Sequence, residues 1–209
     1  MGIEERKERE KQARREAIMA SAREFFFAKG FTATTMDEIA HKAELSKGAL
    51  YLYFASKEEL YVSVMSEGLA ILFDRIEEAF KLDLPPDQMI RKFGEVLYRY
   101  YLDYREYYRI FFFLEHKDVA QQLPRELIQD SLEKGMRNFQ RLIEVIQKGI
   151  DQGIFAPVDP RKAAVAFLGA TNGVLFLFEE ELSKEIIGMD VEQLIFYTID
   201  LFIEALKKK

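Results

Sequence analysis

Residues Thr34 to Lys57, TTMDEIAHKAELSKGALYLYFASK, constrain the chain more than any other stretch, because they encode two short capped helices joined by a tight turn. Thr35 and Glu38 stand three apart, the spacing of a capping box in which each side chain takes a free backbone N–H at the helix start. Ile39, Ala40 and Ala43 then repeat at helical spacing. Glu44 and Leu45 interrupt the pattern, and Ser46 can cap a second helix through its hydroxyl. That helix opens on Lys47, Gly48 and Ala49. Leu50 and Phe54 lie four apart and face inward, while Lys47, Tyr51 and Tyr53 offer a cation and two hydroxyl-tipped rings elsewhere. This is the layout of a helix-turn-helix.

The order TT-x-x-x-IA-x-x-A-x-x-SKGALY-x-YF-x-SKEEL closely resembles the DNA-binding segment of TetR-type, tetracycline-repressor-like transcriptional regulators. In detail the resemblance covers about a quarter of the chain, with helix layout alone matching beyond it. One position departs from the pattern. Glu44 stands where this family often has glycine, so a left-handed backbone there would cost on the order of 1 kcal/mol. The resemblance implies a recognition helix from Ser46 to about Leu52 and DNA contacts from Thr35, Ser46, Lys47, Gly48, Ala49, Tyr51, Tyr53 and Lys57. Each has a physical role. Thr35 and Ser46 place N–H groups and hydroxyls at helix starts, Lys47 and Lys57 add charge, and Gly48 and Ala49 permit close approach to a groove. For Tyr51 and Tyr53 a purely structural role is the alternative.

The chain has 209 residues, no cysteine and a formal charge of −6. Disulfides and thiolate metal sites are therefore excluded, and a reducing cytoplasm is the expected compartment. The charge-dense first 17 residues lack a signal peptide's apolar core. The most apolar window, Ala163 to Phe178, is too short to span a bilayer. Met1 to Lys57 carry 11 Lys/Arg against 9 Asp/Glu, net +2; the remaining 19 against 27 give −8, and the two sum to −6. A mildly basic head on an acidic body suits a reader of specific duplex DNA, although chance alone also produces such fluctuations.

Elsewhere the pattern is helical throughout. Residues Ile3 to Arg15 alternate acids and bases, as a solvated helix, a frayed arm, or an extension reaching phosphates. From Ala17 an amphipathic helix runs to the Lys29-Gly30 stop, with Phe25, Phe26 and Phe31 as the expected head core. Ser56 and Glu59 form a second capping box opening a helix to about residue 81. There Lys57 and the free N–H groups would make a phosphate site. Further helices are expected at about 87–104, 106–117, 125–151, 161–181 and 190–207, with Pro124, Asp159-Pro160 and terminal lysines as start and stop signals. The fold class is all-α: a three-helix head, residues 1–56, and a helical effector-binding and dimerisation body, residues 57–209.

Catalytic motifs are missing, and neither cofactor nor metal is expected. Glu38 and His41 make one Glu-x-x-His, but a dimetal bundle needs two, and Phe113 precedes the second histidine, His116, at the matching spacing. Ten aromatics lie between Phe93 and Phe113; some are core, and others could line a cavity with Tyr hydroxyls at its wall. Phe93, Tyr101, Tyr108, Phe112 and Asn172 are the expected ligand set, Asn172 being either a polar anchor or a buried structural amide. By resemblance the body binds a small effector, which the aromatic residues lead one to expect to be hydrophobic or aromatic, and the last two large helices pair two copies into a homodimer. Gly169, Gly173, Ile195, Ile199, Phe202 and Leu206 then form the interface or, alternatively, internal core. The function so implied is a ligand-responsive regulator, a repressor, that binds a palindromic double-stranded operator and is released by its effector. Control by a protein partner is the alternative.

Overall fold

The computed structural model describes residues 2–112, 125–179, 185–186 and 188–208, and within these the side chains of Ile3, Phe112, Arg125, Leu127, Ile128 and Ser131 are left aside. Phe113, His116 and Pro124 lie outside the described residues. Helices run in the order α1 (Ile3–Ala33), α2 (Met36–Lys42), α3 (Lys47–Tyr51), α4 (Lys57–Phe80), α5 (Pro86–Asp103), α6 (Arg105–Phe112), α7 (Arg125–Asp151), α8 (Pro160–Leu177) and α9 (Val191–Leu206). Among the described residues the β geometry amounts to an isolated antiparallel bridge between Phe155 and Lys207. The all-α expectation holds.

Contacts divide the chain into two compact units, Met1–Ala70 with Glu106–Ser131, and Ile71–Arg105 with Leu132–Lys209. The division falls inside α4 rather than at its start, because the first half of that helix supplies core to the head. In the first unit Phe26, Phe31 and Tyr61 form an aromatic cluster, with Tyr61 centroids 5.1 and 5.0 Å from the two phenylalanines. Ile18, Ala22, Ile39, Leu50, Phe54 and Leu60 complete it. Phe25 is half-buried beneath Lys29. The charged N-terminal stretch is helical from Ile3 and continuous with the amphipathic part, and the break comes at Gly30, whose φ of 72° and ψ of 179° suit glycine almost alone. Thr34 closes this end, donating from its hydroxyl to the Gly30 carbonyl at 2.7 Å.

Helix α6 contributes Tyr107 to the same unit, its ring 5.0 Å from that of Phe27. Burial and the neighbouring Glu67 push the Tyr107 hydroxyl up to about 12. Glu67 is itself gripped by Arg23, whose Nη1 lies 2.7 and 2.8 Å from the two carboxylate oxygens.

In the second unit α9 packs on both α5 and α8. Local chemistry starts these helices as the sequence indicates: Asp159 accepts from the N–H groups of Arg161 and Lys162, and Asp190 from those of Glu192 and Gln193. Phe93 sits between Phe80 and Phe167, at 6.3 and 6.2 Å, and Ile90, Tyr100, Leu142, Ile146, Ile195 and Ile199 fill the surrounding core.

Candidate nucleic-acid interface and effector body

The first helix of the pair begins as its sequence dictates. The Thr35 N–H donates to Glu38 Oε2 at 2.9 Å, the Glu38 N–H donates to Thr35 Oγ1 at 3.3 Å, and the Thr35 hydroxyl donates to the same carboxylate at 2.7 Å. Lys29 reaches Glu38 at 2.6 Å. Hydrogen bonds from Lys29 and then from Thr35 hold the Glu38 carboxyl down at about 2.

The turn resolves the question posed by Glu44. Its φ is 56°, and the N–H groups of Leu45 and Glu44 donate to the carbonyls of Ala40 and His41 at 2.9 and 3.1 Å. Those two bonds are the Schellman ending of a helix, which places its left-handed residue at this position. The glycine conformation is thus kept with a glutamate in it.

Ser46 then caps α3, accepting from the Ala49 N–H at 3.2 Å. Leu50 is fully buried beneath the helix, while Ser46, Lys47, Gly48 and Tyr51 are exposed and Ala49 and Tyr53 half-exposed. Gly48 is helical, and a Cβ built on it would meet nothing within 4 Å. Lys47 bonds Asp37 at 3.0 Å, which raises its pKa. Leu52, 86% exposed, stands beside Tyr51 at the end of α3. It was not among the expected contacts, and a large aliphatic between two tyrosines is the signal that marks it.

Lys57 differs from its expected role. Its ammonium turns inward, donating to the carbonyls of Phe31 and Thr34 at 2.9 and 3.0 Å, 4.2 Å from the centre of the Phe31 ring. It ties the end of α1 to the start of α4 and spends two of its three donors doing so. The second capping box is also shifted by one residue: Ser56 Oγ accepts from the Glu59 N–H at 3.1 Å, but the Glu59 carboxylate takes the Ala55 N–H at 2.6 Å.

The expected ligand residues fall in both compact units. Phe93 is core, Tyr101 is buried and hydrogen-bonded to Glu179, and Tyr108 is buried in the other compact unit. Burial and then Glu179 raise the Tyr101 pKa. The side chain of Phe112 lies outside the described residues. Asn172 is half-buried and donates to the Leu168 carbonyl one turn back at 2.9 Å. A groove of about 390 Å³ on the second unit is lined by Asp74, Arg75, Glu78, Lys92, Val96 and Arg99, among others.

The dimerisation helices need a correction of face. Ile195, Ile199 and Leu206 are internal core, with Ile199 0% exposed, and the ring of Phe202 packs on that of Phe167 at 5.1 Å. The uncovered large apolar residues are Val165, Phe176 and Leu177 on α8, and Tyr197, 63% exposed, and Leu201, 57% exposed, on α9. Gly169 and Gly173 are also exposed, with open space above both.

A helix-turn-helix with an exposed second helix, carried by a chain whose remaining helices keep an uncovered apolar face, defines a DNA-binding transcriptional regulator. The chain belongs to the TetR family: residues 18–64 match the model of bacterial regulatory proteins of the tetR family, and residues 83–179 match a tetracyclin repressor-like C-terminal domain. It is 30% identical over 188 residues to the uncharacterized HTH-type transcriptional regulator YfiR of Bacillus subtilis, covering 82% of this chain and 84% of YfiR. The crystal structure of the TetR family regulator PfmR from Thermus thermophilus matches with a TM-score of 0.72 and 26% identity, over 91% of this chain and 99% of PfmR. The fold is also that of AibR in complex with isovaleryl coenzyme A and operator DNA, at a TM-score of 0.70 and 21% identity, over 90% and 97% of the two chains. TetR-family regulators bind operator DNA as dimers and respond to small-molecule effectors. No described helix is long and apolar enough to cross a membrane.

Proposed function

We propose that this chain is a cytoplasmic, non-enzymatic repressor in which residues 1–56 read a palindromic operator and residues 57–209 bind a small hydrophobic effector and pair with a second copy. Thr35, Ser46, Lys47, Gly48, Ala49, Tyr51 and Tyr53 make the DNA contacts, and Lys57 holds the helix junction beneath them while keeping one donor for phosphate. Gly48 is the observation that carries this reading. An exposed helical glycine costs about 0.5–1 kcal/mol relative to alanine, and neither its conformation nor any neighbour in this chain requires it. The requirement then comes from outside the chain, from a surface that approaches the backbone closely, as a duplex does.

The switch is a population shift: effector binding in the body favours dimers whose recognition helices no longer match successive major grooves, about 34 Å apart. A hundredfold loss of operator affinity needs about 2.7 kcal/mol of coupling. AibR, which shares the fold, takes isovaleryl coenzyme A, and the likeness supports a small-molecule input here without bearing on whether the input releases DNA. The test is operator affinity of the purified dimer, measured by fluorescence anisotropy with and without each ligand that calorimetry shows to bind. Affinity indifferent to every bound ligand removes the switch.

A further inference from the structure

The body buries a polar group that its own fold leaves unused. Asn138 on α7 is only 5% exposed, and its Nδ2 has no hydrogen-bond partner among the described residues. A bare buried amide is destabilising, and a leucine of similar volume would carry no such penalty. One turn earlier on the same helix stands Gly135. Its backbone is helical, and a Cβ added there would meet only the tip of the Phe73 ring, at an ordinary 3.6 Å. Neither strain nor crowding asks for a glycine in the middle of this helix, where it weakens the helix relative to alanine.

The two observations are independent and fall on one face. Helical side chains lean toward the helix N-terminus, which carries the Asn138 amide over the Gly135 turn. The flanks of that face are in place. Arg141, one turn further on, bonds Glu77 at 2.7 Å and stacks over Phe80 at 5.2 Å, and Leu142 is buried beside it. Arg141 is answered by Glu77, and Lys134, half-buried one turn before Asn138 on this face, is also engaged, so the group the face leaves unused is the neutral amide. A carboxylate seated there would lose its hydration without a counter-charge, whereas a neutral carbonyl oxygen would gain the hydrogen bond at little cost.

We propose that Asn138 is the polar anchor of the effector site, and that the ligand is an apolar molecule presenting a neutral carbonyl oxygen, seated on α7 over Gly135. The inference rests on the regulator reading above and adds the ligand's chemical class. Butyrophenone and its methylidene analogue, in which C=CH₂ replaces C=O, differ only in the acceptor and serve as probes.

Calorimetry on the full-length protein compares wild type, Asn138→Leu and Gly135→Leu. Wild type is expected to bind the ketone about tenfold more tightly than the analogue, the yield of one hydrogen bond in a dry site. The infrared carbonyl stretch of bound ketone should lie below its position in alkane solvent. Asn138→Leu should bind both probes equally, return the stretch to the alkane position and melt higher without ligand. Gly135→Leu should bind neither. Ketone preference surviving in Asn138→Leu overturns the proposal, as does wild type that fails to bind the ketone or binds both probes alike, the result expected if a buried water satisfies the amide. Operator binding on the same samples separates the two levels. DNA binding without ketone preference removes the anchor alone, whereas wild type that binds no specific DNA removes the regulator reading on which it rests.

Discussion

Substituting Gly48 by alanine separates what the fold needs from what DNA needs. A Cβ at this position meets nothing within 4 Å, and the backbone is already helical. The folded head therefore gains a better helix former at no steric cost, about 0.5 kcal/mol at a helix end. For a chain of this size that is a rise of roughly 1–2 °C in melting temperature. Against a duplex the same methyl occupies the space of closest approach. Overpacking a tight contact costs about 1–3 kcal/mol, which is about fivefold to 150-fold in affinity for each head. Anisotropy titration of a labelled operator, alongside a calorimetric melt, reads both numbers from one preparation. Higher stability with weaker DNA binding is the expected pair. Unchanged or tighter operator binding would refute the placement of Gly48 against DNA, and lower stability would refute the claim that the fold leaves this position free.

Glu44→Gly removes the left-handed penalty of about 1–2 kcal/mol and adds about 0.4–1 kcal/mol of unfolded-state freedom, so a thermal melt should show a net gain of roughly 1 kcal/mol; a loss would mean that the turn is not left-handed. Glu38 titrates from 4.5 in the unfolded chain to about 2 in the folded head, so its contribution is complete above pH 4.5 and is lost as pH falls toward 2. Glu38→Gln should flatten that part of the stability profile measured by circular dichroism, and an unaltered profile would assign the acid sensitivity elsewhere. Leu201→Glu puts a carboxylate on the uncovered face of α9. It should leave the monomer's fold within about 0.5 kcal/mol yet shift the sedimentation equilibrium from dimer to monomer, whereas a persistent dimer would place the interface on another face.

Features set by neighbours in sequence were legible before the structure. The Thr35–Glu38 box, the Ser46 and Asp159 caps and the Glu44 departure depend on residues within one turn, and each takes the geometry its spacing implies. Lys57 was not legible, because the carbonyls that claim its ammonium come from Phe31 and Thr34, more than twenty residues earlier in the chain. Nor could the sequence separate the two faces of α9. Ile195 and Ile199 form one apolar row and Tyr197 and Leu201 another, and only packing on α5 and α8 decides that the first is core. The aromatic run behaved likewise: Phe93 is enclosed by rings from α4 and α8, while Tyr107 packs on Phe27 of α1. Asn138 was hidden for a different reason. With Arg137, Gln140 and Arg141 close by in sequence it reads as part of a wet face, and its burial is visible only in three dimensions.

Selection of bound duplexes from a random-sequence library by the purified wild-type protein tests the central claim most directly. A dimer presenting two copies of α3 should enrich an inverted repeat whose half-sites are separated by one helical turn, about 34 Å, or a multiple of it. Enrichment of a single unpaired half-site, or of no sequence at all, would contradict the account of a dimeric operator reader.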